Sequence, residues 1–170
     1  LKNAPEISDT VTVELTPNLK KQIRLYADGS RVDGTTQTRS LGEKTVSLGA
    51  QGVEAVTWKT SSKTVATVDG EGQVTFLKAG TVTITATEKG GKTTANVKFK
   101  LVNPVEKLEI LGGNTVSGGK TLKLTAKLTG AVAGKVTNSK VTWSLRASDK
   151  AYASISASGV LTAKKVTGVK

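Results

Sequence analysis

The chain has 170 residues, 36% of them hydrophobic and 4% aromatic, with a formal net charge of +12. It contains no cysteine, histidine or methionine, which excludes disulfides and thiol chemistry and removes the commonest general base and metal ligand. No run of apolar residues is long enough to cross a membrane as a helix.

The first predicted element is "TVTVELT" (10–16), which puts Val11, Val13 and Leu15 on one face. "QIRLYADG" (22–29), "LGEKTVSL" (41–48), "VTWKTSS" (56–62) and "VATVDGEGQVT" (65–75) follow as strand and turn segments. "TVTITAT" (81–87) alternates Val82, Ile84 and Ala86 with threonines, and "NVKFKL" (96–101) buries Val97, Phe99 and Leu101 and exposes Lys98 and Lys100. Beyond Pro104 come "KLEILGG" (107–113), "TLKLTAKL" (121–128), "VTWSLRAS" (141–148) and "YASISASGVLT" (152–162). A period of two marks half-buried β-strands, and threonine and valine suit a pleated surface. Turn signals separate the runs, among them Asp28-Gly29, Asp69-Gly70, Gly90-Gly91 and Gly118-Gly119,. The fold class is therefore all-β, a sandwich or barrel, with no helical stripe of useful length.

Charge is distributed along the chain. Residues 1–17 hold one basic residue against three acidic ones, 18–103 hold 13 against 7, and 104–170 hold 11 against 3. A basic balance suits acidic partners such as an anionic wall polymer, nucleic acid or a membrane surface. The lysines alternate with apolar positions instead of clustering, so their plainer role is to solubilise strand faces.

Motifs with chemical potential are few. "GGNTVSGGKT" (112–121) resembles a phosphate loop, but the position five before Gly119 is Asn114 rather than glycine, and a strand pattern follows where a helix is required,. Asp69 and Glu71 offer two carboxylates where calcium needs six to eight oxygens, and the repeat partner "SASG" has none. Ser61-Ser62 has no adjacent base. Stacking on nucleic acid needs exposed aromatics, and only Tyr26 and Tyr152 lie outside inward phase. No catalytic, cofactor-binding or metal-ligating residue is assigned, no cofactor is expected, and neither nucleic acid nor membrane insertion is expected as a partner.

An internal repeat organises the chain. Leu25 corresponds to Ile110 and Trp58 to Trp143, each at an offset of 85, and Gly72 to Gly159 at 87. The second copy carries an excess after "GGKT", in "TGAVAGKVTNSK" (129–140). Insertions confined to turns leave strands in register. The boundaries expected are 1–17 for the last strand of a preceding repeat plus its Pro17 linker, 18–103 for a complete unit, and 104–170 for a second unit without copies of strands 81–87 and 95–101. The chain thus reads as cut from a longer array, with sheet edges free for self-assembly: strand 10–16 of one molecule could pair with such an edge on another. Pro104 fixes its own φ and restricts Asn103, which limits bending between units.

A strand ending "VTW", a serine pair, "VATVD" and then "AGTVTITAT" before a glycine pair resembles the bacterial immunoglobulin-like domain, group 2, over about residues 18–102 and in part over 104–168. The resemblance implies tandem immunoglobulin-like β-sandwiches with no catalytic residues, used as a stalk, spacer or adhesion module outside the cell. It implies an extracellular location at the bacterial surface or wall. The partners it suggests are neighbouring repeats, an anionic wall polymer, a glycan or a host surface protein. Alternatives are an S-layer or phage-tail assembly component and a carbohydrate-binding accessory domain. Trp58 and Trp143 are expected as the central plugs between sheets, with truncation of either costing about 3–5 kcal/mol.

Overall fold

The computed structural model describes residues 21–165. The expected strand 10–16, and with it the whole 1–17 segment, lies outside the described residues. Over the described part the chain is all-β, with two short 3-10 helices at Leu41–Glu43 and Ala147–Ala151.

Residues up to 102 form two facing sheets. One has the order β2-β1-β4-β7-β6, from β2 (Ser30–Arg31), β1 (Arg24–Ala27), β4 (Thr45–Gln51), β7 (Gln73–Phe76) and β6 (Ala66–Val68). The other has the order β3-β9-β8-β5, from β3 (Thr36–Ser40), β9 (Thr94–Val102), β8 (Gly80–Glu88) and β5 (Val56–Thr60). β8 and β9 form the longest ladder, from Gly80↔Leu101 to Thr87↔Thr94. β3 joins this sheet through a parallel ladder to β9, and β5 through an antiparallel ladder to β8. The alternation read from sequence holds here: Val82, Ile84, Ala86, Val97, Phe99 and Leu101 are buried, and Lys98 and Lys100 are exposed.

The core centre differs from the expectation. Phe99 is fully buried and meets Phe76 with ring centroids 5.6 Å apart at 58°. Trp58 is only half-buried, because β5 is the edge strand of its sheet and one flank of the indole has no neighbouring strand. Trp143 is likewise half-buried. Neither indole is the plug; the phenylalanine pair is.

The second half repeats one sheet almost residue by residue. β10 (Val105–Leu111) pairs with β12 (Thr125–Gly130), and β11 (Thr121–Lys123) pairs with β14 (Val160–Ala163), which pairs with β13 (Ala153–Ile155). Leu25 faces Ala50 in β1–β4, and Ile110 faces Ala126 in β10–β12. Val46 faces Val74, and Leu122 faces Leu161. Ala66 faces Phe76, and Ala153 faces Ala163. The turn before the last strand also recurs: Leu48 N–H donates to Gly72 O at 2.9 Å and Leu124 N–H to Gly159 O at 2.8 Å. Both glycines have positive φ, and a Cβ on either would press on a main-chain carbonyl (Leu48 or Leu124) and on the indole of Trp58 or Trp143.

The second half departs from expectation at "VTWSLRAS". Residues 141–146 form no ladder, and the 3-10 helix begins at Ala147. The counterpart strand β5 bonds only to β8, and no second copy of β8 or β9 occurs among the described residues. Residues 112–116 also lie outside any strand. The β10–β12 sheet leaves apolar residues exposed. Leu25 is 0% exposed and Ile23 4%, whereas their counterparts Ile110 and Leu108 are 61% and 52% exposed.

One ion pair supports the first sheet. Arg31 Nε and Nη2 donate to the two oxygens of Asp33, each at 2.8 Å, and Asp33 Oδ1 also accepts from Leu25 N–H at 3.1 Å. The Arg31 guanidinium holds the Asp33 carboxyl below the usual carboxylate range. A depressed folded-state pKa stabilises above the unfolded value and is lost as pH falls through the folded one.

Two outcomes follow for stability. Phe99→Ala should lower the unfolding free energy by about 3–5 kcal/mol and Trp58→Ala by clearly less, in denaturant titrations of each variant. The denaturation midpoint should drop when pH falls below about 4, and Asp33→Asn should show a smaller drop than the parent chain.

Candidate functional site

The residues weighed in sequence for chemistry are occupied with building turns. Asp69 Oδ1 accepts the main-chain N–H of Glu71 at 3.0 Å and of Gln73 at 2.8 Å, so its carboxylate caps the β6–β7 turn. Ser156 does the same at the matching turn, its Oγ accepting from Val160 N–H at 3.1 Å. Ser61 Oγ accepts from Thr83 N–H at 2.9 Å and extends the β5–β8 pairing. The glycine-rich loop before Thr121 leads into β11, a strand. Among the described residues, no three of the Asp and Glu side chains gather where they could hold a metal ion.

The structure brings together two other features that sequence reading kept apart: the Pro104 linker and the inserted loop after β12. Asn103 is the one buried polar residue among those described. Its side-chain Nδ2 donates to Val132 O at 3.0 Å and to Lys135 O at 3.3 Å, and its Oδ1 accepts from Val132 N–H at 3.1 Å. Its main chain is held as well. Asn103 N–H donates to Thr137 Oγ1 at 2.6 Å, and Thr137 N–H returns a bond to Asn103 O at 2.8 Å. Ala131 N–H donates to Pro104 O at 3.2 Å. The linker is thus clasped by the loop of the following half. Gly130 is required at the start of that loop, because a Cβ there would sit 2.5 Å from Asn103 Oδ1.

The same loop reaches back onto the first half. Val132 packs against the first-half core, and a Cβ on Gly42 would lie 3.2 Å from the Ala131 methyl. Gly42 belongs to the Leu41–Glu43 turn, which is fixed by a capping box: Gly42 N–H donates to Ser40 Oγ and Ser40 N–H to the Glu43 carboxylate,. Arg39 anchors that turn to Glu43 at 3.1 Å and to Asp28 of the facing sheet at 2.5 Å. Between loop and first half lies an open, mainly apolar cleft of about 550 Å³, lined by Leu41, Leu77, Ala79, Leu101, Val132 and Val136.

The clasp consists of amides, carbonyls and one hydroxyl. None titrates near neutrality, so nothing in it transfers a proton or depends on salt. What it does is hold the linker against two surfaces at once.

Residues 30–99 match the family model of the bacterial Ig-like domain (group 2). This segment belongs to that family. The match covers β2 through most of β9, including both facing sheets. Such domains are surface and adhesion-type modules, generally without catalysis, and usually occur in extracellular or surface proteins. No curated protein matches the chain. No helix among the described residues is long and apolar enough to cross a membrane.

Sequence reading singled out Pro104 but missed Asn103, Val132 and Thr137. The available signal was an apolar "AVA" inside an inserted loop, which a merely solvated turn does not need.

Asn103→Ala leaves Val132 N–H and two carbonyls without partners, and should destabilise the chain by about 2–4 kcal/mol in denaturant titrations. Gly130→Ala should cost a similar amount by evicting the same side chain, while Asn138→Ala, outside the clasp, should lie within about 0.5 kcal/mol of the parent.

Proposed function

We propose that the chain is a non-enzymatic, rigid spacer section of a bacterial surface protein. In this reading two Ig-like units, residues 18–103 and 104–170, stand in tandem behind a short segment, 1–17, that ends a preceding unit. The module is extracellular, at the cell surface or wall. The observation that carries the reading is the Asn103 clasp. A spacer must keep a fixed angle between neighbours, and a linker free to rotate would leave relative motion as the default. Here a five-bond anchor and Val132 packing tie the linker and both flanking sheets together.

The repeat supports the two-unit reading, since four strands recur with the same pairing register. The exposed face of the β8–β9 ladder, with Lys98 and Lys100 among threonines, suits weak contact with an anionic wall polymer, which salt would screen,.

The chain has no cysteine of its own, so spin labels at Lys59→Cys and Thr129→Cys report one distance between the halves. The expected result is a single narrow distribution, unchanged in high salt and broadened by Asn103→Ala. A broad distribution in the otherwise unaltered chain would contradict the rigid-spacer reading.

A further inference from the structure

We propose that the cleft between the first half and the inserted loop binds a small anionic amphiphile, an alkyl chain ending in a carboxylate. The chain lies on the apolar walls and the carboxylate among Lys78, Lys100 and Lys135. This adds a ligand-binding function to the spacer reading and does not depend on it.

The walls of the cleft are preformed. Leu41 sits in the turn fixed by the capping box, and Leu101 lies in β9 between β8 and β3. Leu77 N–H donates to Val65 O at 2.9 Å, and Val132 is held by the Asn103 side chain. A ligand therefore loses little binding energy to ordering the site. The volume of about 550 Å³ falls within the range of about 300–1,000 Å³ found for small-molecule sites, which favour junctions between units.

Leu77 distinguishes the cleft from a gap in packing. Its side chain is 52% exposed, and the other large apolar side chains left exposed among the described residues all lie at Val105 or beyond. An exposed leucine beside an apolar cleft is area that a ligand can remove from water.

Charge selects the head of the ligand. The lining includes Lys78, Lys100 and Lys135 and no aspartate or glutamate. None of the three lysines forms an ion pair among the described residues. Cations without a counter-charge favour an anion and repel another cation.

The main chain favours an alkyl group over a peptide. Asn103 N–H and O are bonded to Thr137, and the N–H and O of Val132 and the O of Lys135 are bonded to the Asn103 side chain. Leu77 N–H and Lys78 N–H share Val65 O. The linker and loop walls thus offer a peptide backbone little to pair with, and its amides would lose water there without replacement. An alkyl chain carries no such groups.

Titration of the 170-residue chain with decanoate below its micelle concentration, followed by amide NMR shifts, tests this. Saturable shifts are expected at residues 77–81 and 133–136. Decyltrimethylammonium, with a similar chain and the opposite charge, should bind weaker by about tenfold or more. Leu77→Asp and Ala133→Trp alter exposed positions, so the fold is retained,. The first removes apolar area and adds a like charge, the second fills the cleft, and each should weaken decanoate by about tenfold. Lys98→Gln, outside the cleft, should leave the affinity unchanged. Absence of saturation, shifts centred on Leu108 and Ile110, or equal affinity for the cationic amphiphile overturns the proposal. An acidic peptide with a central leucine that binds more tightly than decanoate overturns the choice of an alkyl chain.

Discussion

The β8–β9 ladder is the joint on which the first half depends. β3 and β5 each have one neighbour, β9 and β8 respectively, so neither can pair without the central hairpin. The same hairpin supplies seven buried core side chains, from Val82 to Leu101. A sheet with one apolar face must bury it against another layer, and a two-layer sandwich is the smallest all-β solution. The second half has no copy of that hairpin among the described residues. Its two sheets, β10-β12 and β11-β14-β13, keep register and turns, because those are set by contacts within each sheet. Residues 112–116 and 141–146 lie outside any strand, and Ile110 faces solvent. Local pattern is enough to write a sheet; covering it takes a contact from far along the chain.

The junction follows a different logic. Ion pairs at a linker would loosen with salt, and exposed pairs contribute little in any case. Asn103 is instead enclosed, with all its side-chain hydrogen-bonding directions toward the inserted loop used in neutral bonds. Low local dielectric strengthens such bonds and makes an unpaired partner costly, so the clasp is close to all-or-none. The loop that forms it is an insertion in a turn, the place where a chain accepts added residues without disturbing its strands. A joint can in this way be stiffened with no change to either sheet.

Apart from β2 and β3, which no alternation marked, the strands from Arg24 to Val102 were legible because alternation and turn residues agree there, and the structure keeps Val97, Phe99 and Leu101 inward and Lys98 and Lys100 outward as the pattern requires. Gly72 and Gly159, paired in the sequence reading, each lie against an indole. The size of a side chain misled where position mattered more. Tryptophan is the largest residue, but Trp58 sits on an edge strand and Phe99 on a central one. "VTWSLRAS" has the same strand pattern as "VTWKTSS", and a pattern says nothing about whether a partner strand is present. Asn103 could not be read as a buried anchor, because its partners lie 29 to 34 residues away in a loop whose path only the fold defines.

The central claim is that residues 141–146, which match β5 in sequence, have no ladder partner among the described residues. Amide hydrogen exchange, at a dilution where the chain is monomeric, tests it residue by residue. The account predicts slow exchange for Thr57 and Lys59 in β5 and for the β8–β9 ladder, and fast exchange for Thr142 and Ser144 at the matching positions, with the β10–β12 ladder between these limits. Protection at Thr142 and Ser144 equal to that at Thr57 and Lys59 would contradict it.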